Sequence, residues 1–176
     1  MVLYSEFPEL NISRTFTPAE AGLLTGISPE KQRQIRHQGF AHFLDQAPST
    51  GKHSRFGWRT VTLWALMAEA GNLGFGLNEA GYFAAGFSHL RPSPGDTQSR
   101  AQLLDYDFRL GKDGRSVPLY VFCFPEMGKP ESFANLVTGS GNVDFNGEWK
   151  FDGRWGWWLN YSDFQRRLLM RYESIK

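Results

Sequence analysis

Two helix-start signals, separated by a single short helix, constrain this chain more than any other feature of its sequence. A Thr-Pro-Ala-Glu run begins at Thr17, and a Ser-Pro pair begins at Ser28. Threonine and serine cap helix N-termini, proline favours the first helical position, and the glutamate completes a capping box. Gly26 lies between the two signals and can adopt a positive φ. The sequence therefore predicts short helices over 17–24 and 28–38, joined by a tight turn, which is the arrangement of a helix-turn-helix.

The second predicted helix has one large apolar residue, Ile35, which should mark its buried face. With about 100° per residue, Arg33 and His37 lie almost opposite Ile35, and Gln34 and Arg36 flank them. Such a face has the chemistry to contact base edges and phosphates. A solvated polar face is the alternative interpretation, because surface helices commonly have one.

The rest of the N-terminal half is predicted to contain one loop followed by two helices. Residues 48–57 contain glycine and serine and predict a hairpin or wing, with basic side chains at Lys52, His53 and Arg55. Apolar residues at helical spacing then predict two further helices, over 59–72 and 77–85.

Positive charge is concentrated in this half. The chain carries 19 basic and 18 acidic residues, a formal net charge of +1, which excludes a globally basic nucleic-acid binder. Residues 28–59 contain six basic and two acidic side chains, a net charge of +4, so the remainder carries −3. Phosphate binding needs such a local concentration of charge and does not need a high overall charge.

The motifs of the N-terminal half occur in the order that one family uses. Over about residues 14–87 the chain resembles the MerR-type winged helix-turn-helix, and most closely its looser MerR-like or excisionase-like group. The matching segments are Phe16–Ser28 (first helix and turn), Arg33–Phe40 (second helix), Arg55–Phe56 (wing) and Leu73–Ala80 (fourth helix).

This resemblance implies a DNA-binding protein. The second helix would enter the major groove, the wing would reach the neighbouring backbone or minor groove, and amides at the start of the first helix would bind a phosphate. The implied DNA-binding residues are Thr17, Ser28, Lys31, Arg33, Gln34, Arg36, His37, Lys52, His53, Arg55 and Arg59. Because a monomer of this size makes few contacts, we expect a homodimer on a two-fold operator.

The predicted function is therefore sequence-specific binding of double-stranded DNA in transcription regulation. One alternative is a phage or mobile-element accessory factor of the excisionase-like kind, which uses the same winged fold to bend DNA. Another is a ligand- or protein-binding module without DNA binding. The sequence departs from the family in its second helix, where Gln32–Ile35 replaces a Leu-Arg-Tyr-Tyr-like core, and this departure favours the last alternative.

A second departure divides the chain. Pro92 and Pro94 interrupt the long helix through which MerR regulators dimerise. The predicted domains are a DNA-binding domain over 14–88, a linker over 89–98 and a dimerisation or effector module over 99–176. The predicted fold class is α+β: an N-terminal winged helix-turn-helix, mostly α, followed by a small antiparallel β module with a C-terminal helix.

Strand-like alternation and clustered tryptophans characterise the C-terminal half. Its predicted elements are a strand over Leu103–Leu110, a hairpin at Asp113–Gly114, a covered strand over Val117–Phe124, a hairpin over Trp149–Leu159, and a helix opened by a capping box at Ser162–Gln165. Its aromatic residues predict a core or a dimer interface, with a ligand pocket and a base-stacking surface as alternatives. The predicted dimerisation residues are Trp155, Trp157, Trp158, Phe164, Leu168 and Tyr172.

Catalytic, metal and membrane signals are weak or missing in the sequence. It contains no HExxH, Walker A or GxSxG motif, and Cys123 lies in an apolar strand pattern that favours a structural thiol, so an enzyme is the least expected class. The four histidines lack metal-ligand spacing, so neither a metal nor a cofactor is predicted, and nothing supports a small-molecule effector. No apolar stretch approaches the roughly 18–20 residues of a membrane span, and the N-terminus lacks a signal-peptide pattern. We therefore expect a cytoplasmic protein that does not contact membranes.

Overall fold

A computed structural model describes residues 8–37, 55–88, 104, 106–107, 109, 120–126, 129–138 and 157–175. Within these residues the chain is α-rich. The helices are α1 (Pro18–Thr25), α2 (Pro29–His37), α3 (Trp58–Asn72), α4 (Leu77–Ser88) and α5 (Tyr161–Ser174), and the strands are β1 (Tyr120–Glu126), β2 (Lys129–Thr138) and β3 (Trp157–Asn160). The chain divides into two compact units, which we call the sheet unit (Met1–Leu10 and Leu90–Arg167) and the helical unit (Asn11–His89 and Leu168–Lys176).

The capping box predicted at the start of α1 is confirmed. The Glu20 N–H donates to the Thr17 hydroxyl oxygen at 3.3 Å, and the Thr17 N–H donates to the Glu20 carboxylate at 2.8 Å. Arg14 forms an ion pair with the same carboxylate and places its guanidinium 5.3 Å from the centre of the Phe16 ring. Local hydrogen bonds therefore fix the residue at which α1 begins.

The turn between α1 and α2 depends on a left-handed residue. Gly26 has a φ of 76°, and its N–H donates to the Gly22 carbonyl at 2.8 Å, which closes α1. The Thr25 hydroxyl then accepts the N–H of Ile27 at 3.1 Å. Ser28 caps α2 by accepting an N–H from its first turn at 3.3 Å. Each step uses a side chain or backbone group that the local sequence supplies.

The core of the helical unit lies around α3, which packs against α1 and α4. Trp64 and Leu66 are completely buried on α3, and the Phe56 ring lies 4.6 Å from the Trp64 ring, centre to centre. The backbones of Phe16 and Phe56 exchange two hydrogen bonds of 2.8 and 2.9 Å. This Phe16–Phe56 bridge joins the segments that lead into α1 and α3, so the two helices start beside each other.

The described strands of the sheet unit form one antiparallel sheet in the order β2-β1-β3. β1, which overlaps the apolar run Val117–Phe124, is the central strand, and its first residue, Tyr120, pairs with Thr138 on β2 and Asn160 on β3. Sequence patterning missed β2, because Pro130 and scattered polar residues interrupt any alternation along it.

The strand predicted over 103–110 is not a strand at the described positions. Leu104 is buried and has 3-10 helical geometry, and Tyr106 forms an isolated bridge with Glu9. The Asp107 N–H donates to the Pro8 carbonyl at 2.8 Å. The alternation correctly marks Leu104 as buried, whereas the described residue Tyr106 forms an isolated bridge with Glu9 and is not part of a strand.

The start of α5 also differs from the prediction. Asn160 caps the helix, because its side-chain oxygen accepts the Asp163 N–H at 3.0 Å. Gln165 is buried and donates its amide to the Tyr106 carbonyl at 2.6 Å. The capping box predicted at Ser162–Gln165 is therefore wrong. Asparagine caps a helix as well as serine does, and Gln165 is used in a tertiary hydrogen bond to Tyr106.

The two halves of α5 belong to different units. Tyr161–Arg167 is part of the sheet unit, whereas Leu168–Ser174 is part of the helical unit. Sequence analysis assigned all of 99–176 to one module, since a continuous helix gives no local sign of such a division. The predicted linker over 89–98, the hairpin turns at 113–114 and 152–153, and Trp149 lie outside the described residues.

Gly26 provides a test of the turn. Gly26→Ala should destabilise the protein by about 1 kcal/mol, because a side chain at positive φ costs roughly 1–2 kcal/mol, even though no heavy atom lies within 4 Å of the added carbon. Gly71→Ala is the matched control: its site is equally open but lies within α3, so alanine should stabilise by roughly 0.5–1 kcal/mol. Urea unfolding measures both, and a neutral Gly26→Ala would contradict the left-handed turn.

The α1 cap should also contribute to acid sensitivity. Hydrogen bonds from the Thr17 N–H and hydroxyl, with the nearby Arg14 guanidinium, lower the pKa of Glu20 below its usual value of about 4.3. A carboxyl group with a lowered pKa in the folded state stabilises the protein at pH values above its unfolded-state pKa. This stabilisation is lost as the pH falls through the folded-state pKa. Glu20→Gln should therefore lose stability against wild type at pH 7 but converge with it near pH 3, measured by urea unfolding at both pH values.

Candidate nucleic-acid interface

The two faces of α2 differ sharply in exposure. Gln32 and Ile35, three residues apart, are 1% and 0% exposed and form its inner face. Glu30, Arg33, Gln34 and His37 follow the i, i+3, i+4, i+7 pattern and are all exposed. The prediction that Ile35 marks the buried face is confirmed. We call the outward set of Arg33, Gln34 and His37 the α2 stripe.

Gln32, which the sequence analysis did not single out, fastens α2 to α1. Its side-chain amide donates to the Pro18 carbonyl at 2.9 Å and to the Ile27 carbonyl at 2.8 Å. One acceptor lies in the first turn of α1 and the other in the turn between the helices. The buried amide therefore fixes the position of α2 by direct hydrogen bonds, in addition to the apolar contact of Ile35.

The α2 stripe presents polar groups that are available to a ligand. Arg33, His37 and the adjacent Lys31 are exposed, and none of the three forms an ion pair or side-chain hydrogen bond with the described part of the chain. An arginine donates in a bidentate fork, and glutamine offers both a donor and an acceptor. The stripe thus carries the groups that pair with base edges or with phosphate oxygens.

Two further arginines lie beside the Phe16–Phe56 bridge. The Arg36 guanidinium, half-buried, lies 5.9 Å from the centre of the Phe56 ring. Arg55 is exposed, and its Nε donates to the Thr15 hydroxyl at 2.8 Å. Both cations are therefore held by contacts within the helical unit, and the bridge connects the α2 arginine with the predicted wing arginine.

The remaining predicted DNA-binding residues have different surroundings. Thr17 donates its N–H and hydroxyl to Glu20, so the chain's own carboxylate occupies the anion position at the start of α1. The structure explains Thr17 as a helix cap and gives no support to its expected phosphate contact. Ser28 is exposed, and Arg59 is half-buried in the first turn of α3. Lys52 and His53 lie outside the described residues.

Three of the six predicted dimerisation residues pack within this chain. Phe164 and Leu168 are each 2% exposed within this chain, so their side chains are core and cannot meet a second copy without rearrangement. Tyr172 packs in an aromatic cluster of the helical unit. Trp157 and Trp158 lie in β3, where the structure describes backbone pairing with β1, and Trp155 lies outside the described residues.

A cleft opens beside the turn between α1 and α2. Its volume is about 170 Å³, with Ile27, Met67 and Ala80 among its lining residues and Lys31 also contributing. Ligand sites usually enclose roughly 300–1,000 Å³. The cleft is therefore smaller than an ordinary effector pocket, and the α2 stripe remains the better candidate site.

Other kinds of site find no support among the described residues. They contain no cluster of three or more histidine, cysteine, aspartate or glutamate side chains suited to a metal ion. None of their helices combines the length and the apolar character needed to cross a membrane. A scan against protein-family models and a search of curated proteins find no significant match to the chain.

Proposed function

We propose that this protein binds double-stranded DNA in a sequence-specific manner and regulates transcription. The observation that carries the proposal is the division of α2 into a buried face and an exposed stripe. Gln32 and Ile35 hold the helix from inside, which leaves Arg33, Gln34 and His37 on the outside without intramolecular ion pairs in the described residues. A fixed helix with free hydrogen-bonding groups is what base readout requires.

The size of α2 also fits this function. Nine residues at about 1.5 Å each extend roughly 14 Å, comparable with the approximately 12 Å width of the major groove. Lys31, in the first turn of α2, and Arg55, next to the Phe16–Phe56 bridge, are exposed and would meet phosphates. The net charge of +4 over residues 28–59 favours approach to DNA.

Selection from random duplex DNA, followed by affinity measurements on Arg33 variants, tests the proposal. Arg33→Ala should weaken binding to the selected site by about 1–3 kcal/mol, because a bidentate contact with a base is lost. That is a decrease of about 5- to 150-fold. Arg33→Lys keeps the positive charge but loses the bidentate guanidinium. Compared with Arg33→Ala, it should therefore restore non-specific DNA binding more fully than sequence-specific binding.

Arg166→Ala is the matched control, since it removes an exposed arginine of the sheet unit that pairs with Asp163. It should bind the selected site like wild type. If no DNA sequence is enriched, or if Arg33→Ala binds as tightly as Arg166→Ala, the assignment of the α2 stripe to base readout is wrong.

We further propose that the protein acts as a homodimer, because a single α2 contacts too few base pairs for tight specific binding. A regulator of this kind should select a motif with two-fold symmetry and half-sites one helical turn apart, about 34–36 Å. A footprint with several phased sites and bent DNA would favour the accessory role in recombination instead.

A further inference from the structure

The last two turns of α5 complete the core of the helical unit. The Tyr172 ring lies 5.8 Å from the Phe16 ring in an edge-on geometry and 5.5 Å from the Trp58 ring, centre to centre. Phe16 belongs to the Phe16–Phe56 bridge, and Trp58 begins α3. Tyr172 therefore packs where the starts of α1 and α3 meet, and the edge-on contact adds to the area that it buries.

Arg171, the preceding residue, supplies a group that α1 lacks. The last carbonyls of a helix have no partners within the helix, and a cation near them is favoured by the helix dipole. α1 has no basic residue in its own last turn. The Arg171 guanidinium donates to the Leu24 carbonyl at 3.0 Å, across 147 positions of sequence. A distant arginine thus satisfies one of the last carbonyls of α1, in addition to the Gly26 cap.

The same segment also approaches the other end of α1. The Arg14 guanidinium, which pairs with Glu20 of the capping box, lies 3.5 Å from the Ile175 carbonyl oxygen. The C-terminal segment therefore contacts the last turn of α1 directly, through Arg171, and is linked to its first turn through Arg14. Leu24 lies two residues before Gly26, so the cation at its carbonyl stands directly beside the turn that orients α2.

We infer that Arg171 is a positioning residue for DNA recognition. It acts through α1 and the Gly26 turn on the orientation of the α2 stripe, and it does so without contacting DNA. This inference rests on the proposed DNA binding. Under it, contacts made by the C-terminal end of α5 influence the affinity of α2 for DNA.

Full-length variants test the inference with two independent readouts. The first readout is amide hydrogen exchange at residues 24–28. The second is affinity for the selected DNA site and for random duplex, each over a salt series. Arg171→Ala and Tyr172→Phe are compared with Arg166→Ala, an arginine replacement on the same helix, and with Leu168→Ala, which removes a buried side chain from the core.

Arg171→Ala should speed exchange at the turn and weaken specific binding by about fivefold or more. Random-duplex binding and the salt slope should not change, because no phosphate contact is lost. Arg171→Lys should restore part of the affinity. Tyr172→Phe retains the ring and should behave like wild type. Leu168→Ala should speed exchange throughout the helical unit, with no preference for the turn.

Several outcomes would overturn the inference. Arg171→Ala that matches Arg166→Ala in both readouts would remove the positioning role. A salt slope reduced by about one would show that Arg171 contacts phosphate directly. If wild type binds no DNA, the proposed function fails, but exchange at residues 24–28 still decides whether Arg171 positions the turn: unchanged exchange rejects it, and faster exchange supports it.

Discussion

Gln32→Glu is expected to destabilise the protein by about 3–5 kcal/mol at neutral pH, although it changes one atom of the side chain. The wild-type amide nitrogen donates to two carbonyl oxygens at 2.8 and 2.9 Å, and the side chain is 99% buried. A carboxylate at this position would place a buried negative charge against two acceptors, with no proton to share. Neither contact could form, and the charge would have no partner.

Lowering the pH should partly restore the stability that Gln32→Glu loses. Burial and the facing carbonyls raise the pKa of a glutamate at position 32 above its usual value of about 4.3. The destabilisation is therefore complete above the raised folded-state pKa and declines as the pH falls toward the unfolded value. A protonated carboxyl group can then donate to one of the two carbonyls.

Urea unfolding at pH 7.5 and pH 5 measures this effect as a difference from wild type at each pH. Gln34→Glu makes the same change two positions away on the exposed side of α2 and should alter stability by no more than about 0.5 kcal/mol. A Gln32→Glu protein as stable as wild type at pH 7.5 would mean that the amide does not fasten α2 to α1.

The position of Gln32 shows where sequence reasoning reaches its limit. The α1 and α2 boundaries follow from groups within a few residues: the Thr17 cap, the left-handed Gly26 and the Ser28 cap. Such signals are local and can be read directly. The role of Gln32 requires the three-dimensional approach of Pro18, and a polar residue on a polar helix gives no warning of burial.

The C-terminal half illustrates the same limit more strongly. The four-residue spacing of Phe164, Leu168 and Tyr172 correctly predicts one apolar helix face, but it cannot say what that face meets. The structure buries Phe164 and Leu168 in the chain itself and places Tyr172 against Phe16 and Trp58. Periodicity therefore identifies two buried residues, Phe164 and Leu168, but it gives no sign that Tyr172 packs against Phe16 and Trp58.

Ile35→Ala should have the second large effect, a loss of about 2–5 kcal/mol. Ile35 is completely buried and is the single large apolar side chain of α2, so its removal leaves the helix held mainly by the Gln32 amide. α3 keeps its own core, which includes the fully buried Trp64 and Leu66. We therefore expect α2 to open locally before the rest of the helical unit unfolds.

Hydrogen exchange along α2 together with urea unfolding measures this opening, and Ile35→Val, which removes one methyl group, should cost only about 0.5–1.5 kcal/mol. An Ile35→Ala protein within 0.5 kcal/mol of wild type would contradict the inner face assigned to α2.

DNA affinity then separates two causes of lost binding. Ile35→Ala should lose affinity in proportion to the opening of α2, whereas Arg33→Ala should lose affinity at unchanged stability, because Arg33 is exposed and bonds to no described group. If both variants lose affinity only through lost stability, α2 supports the fold and some other surface contacts DNA.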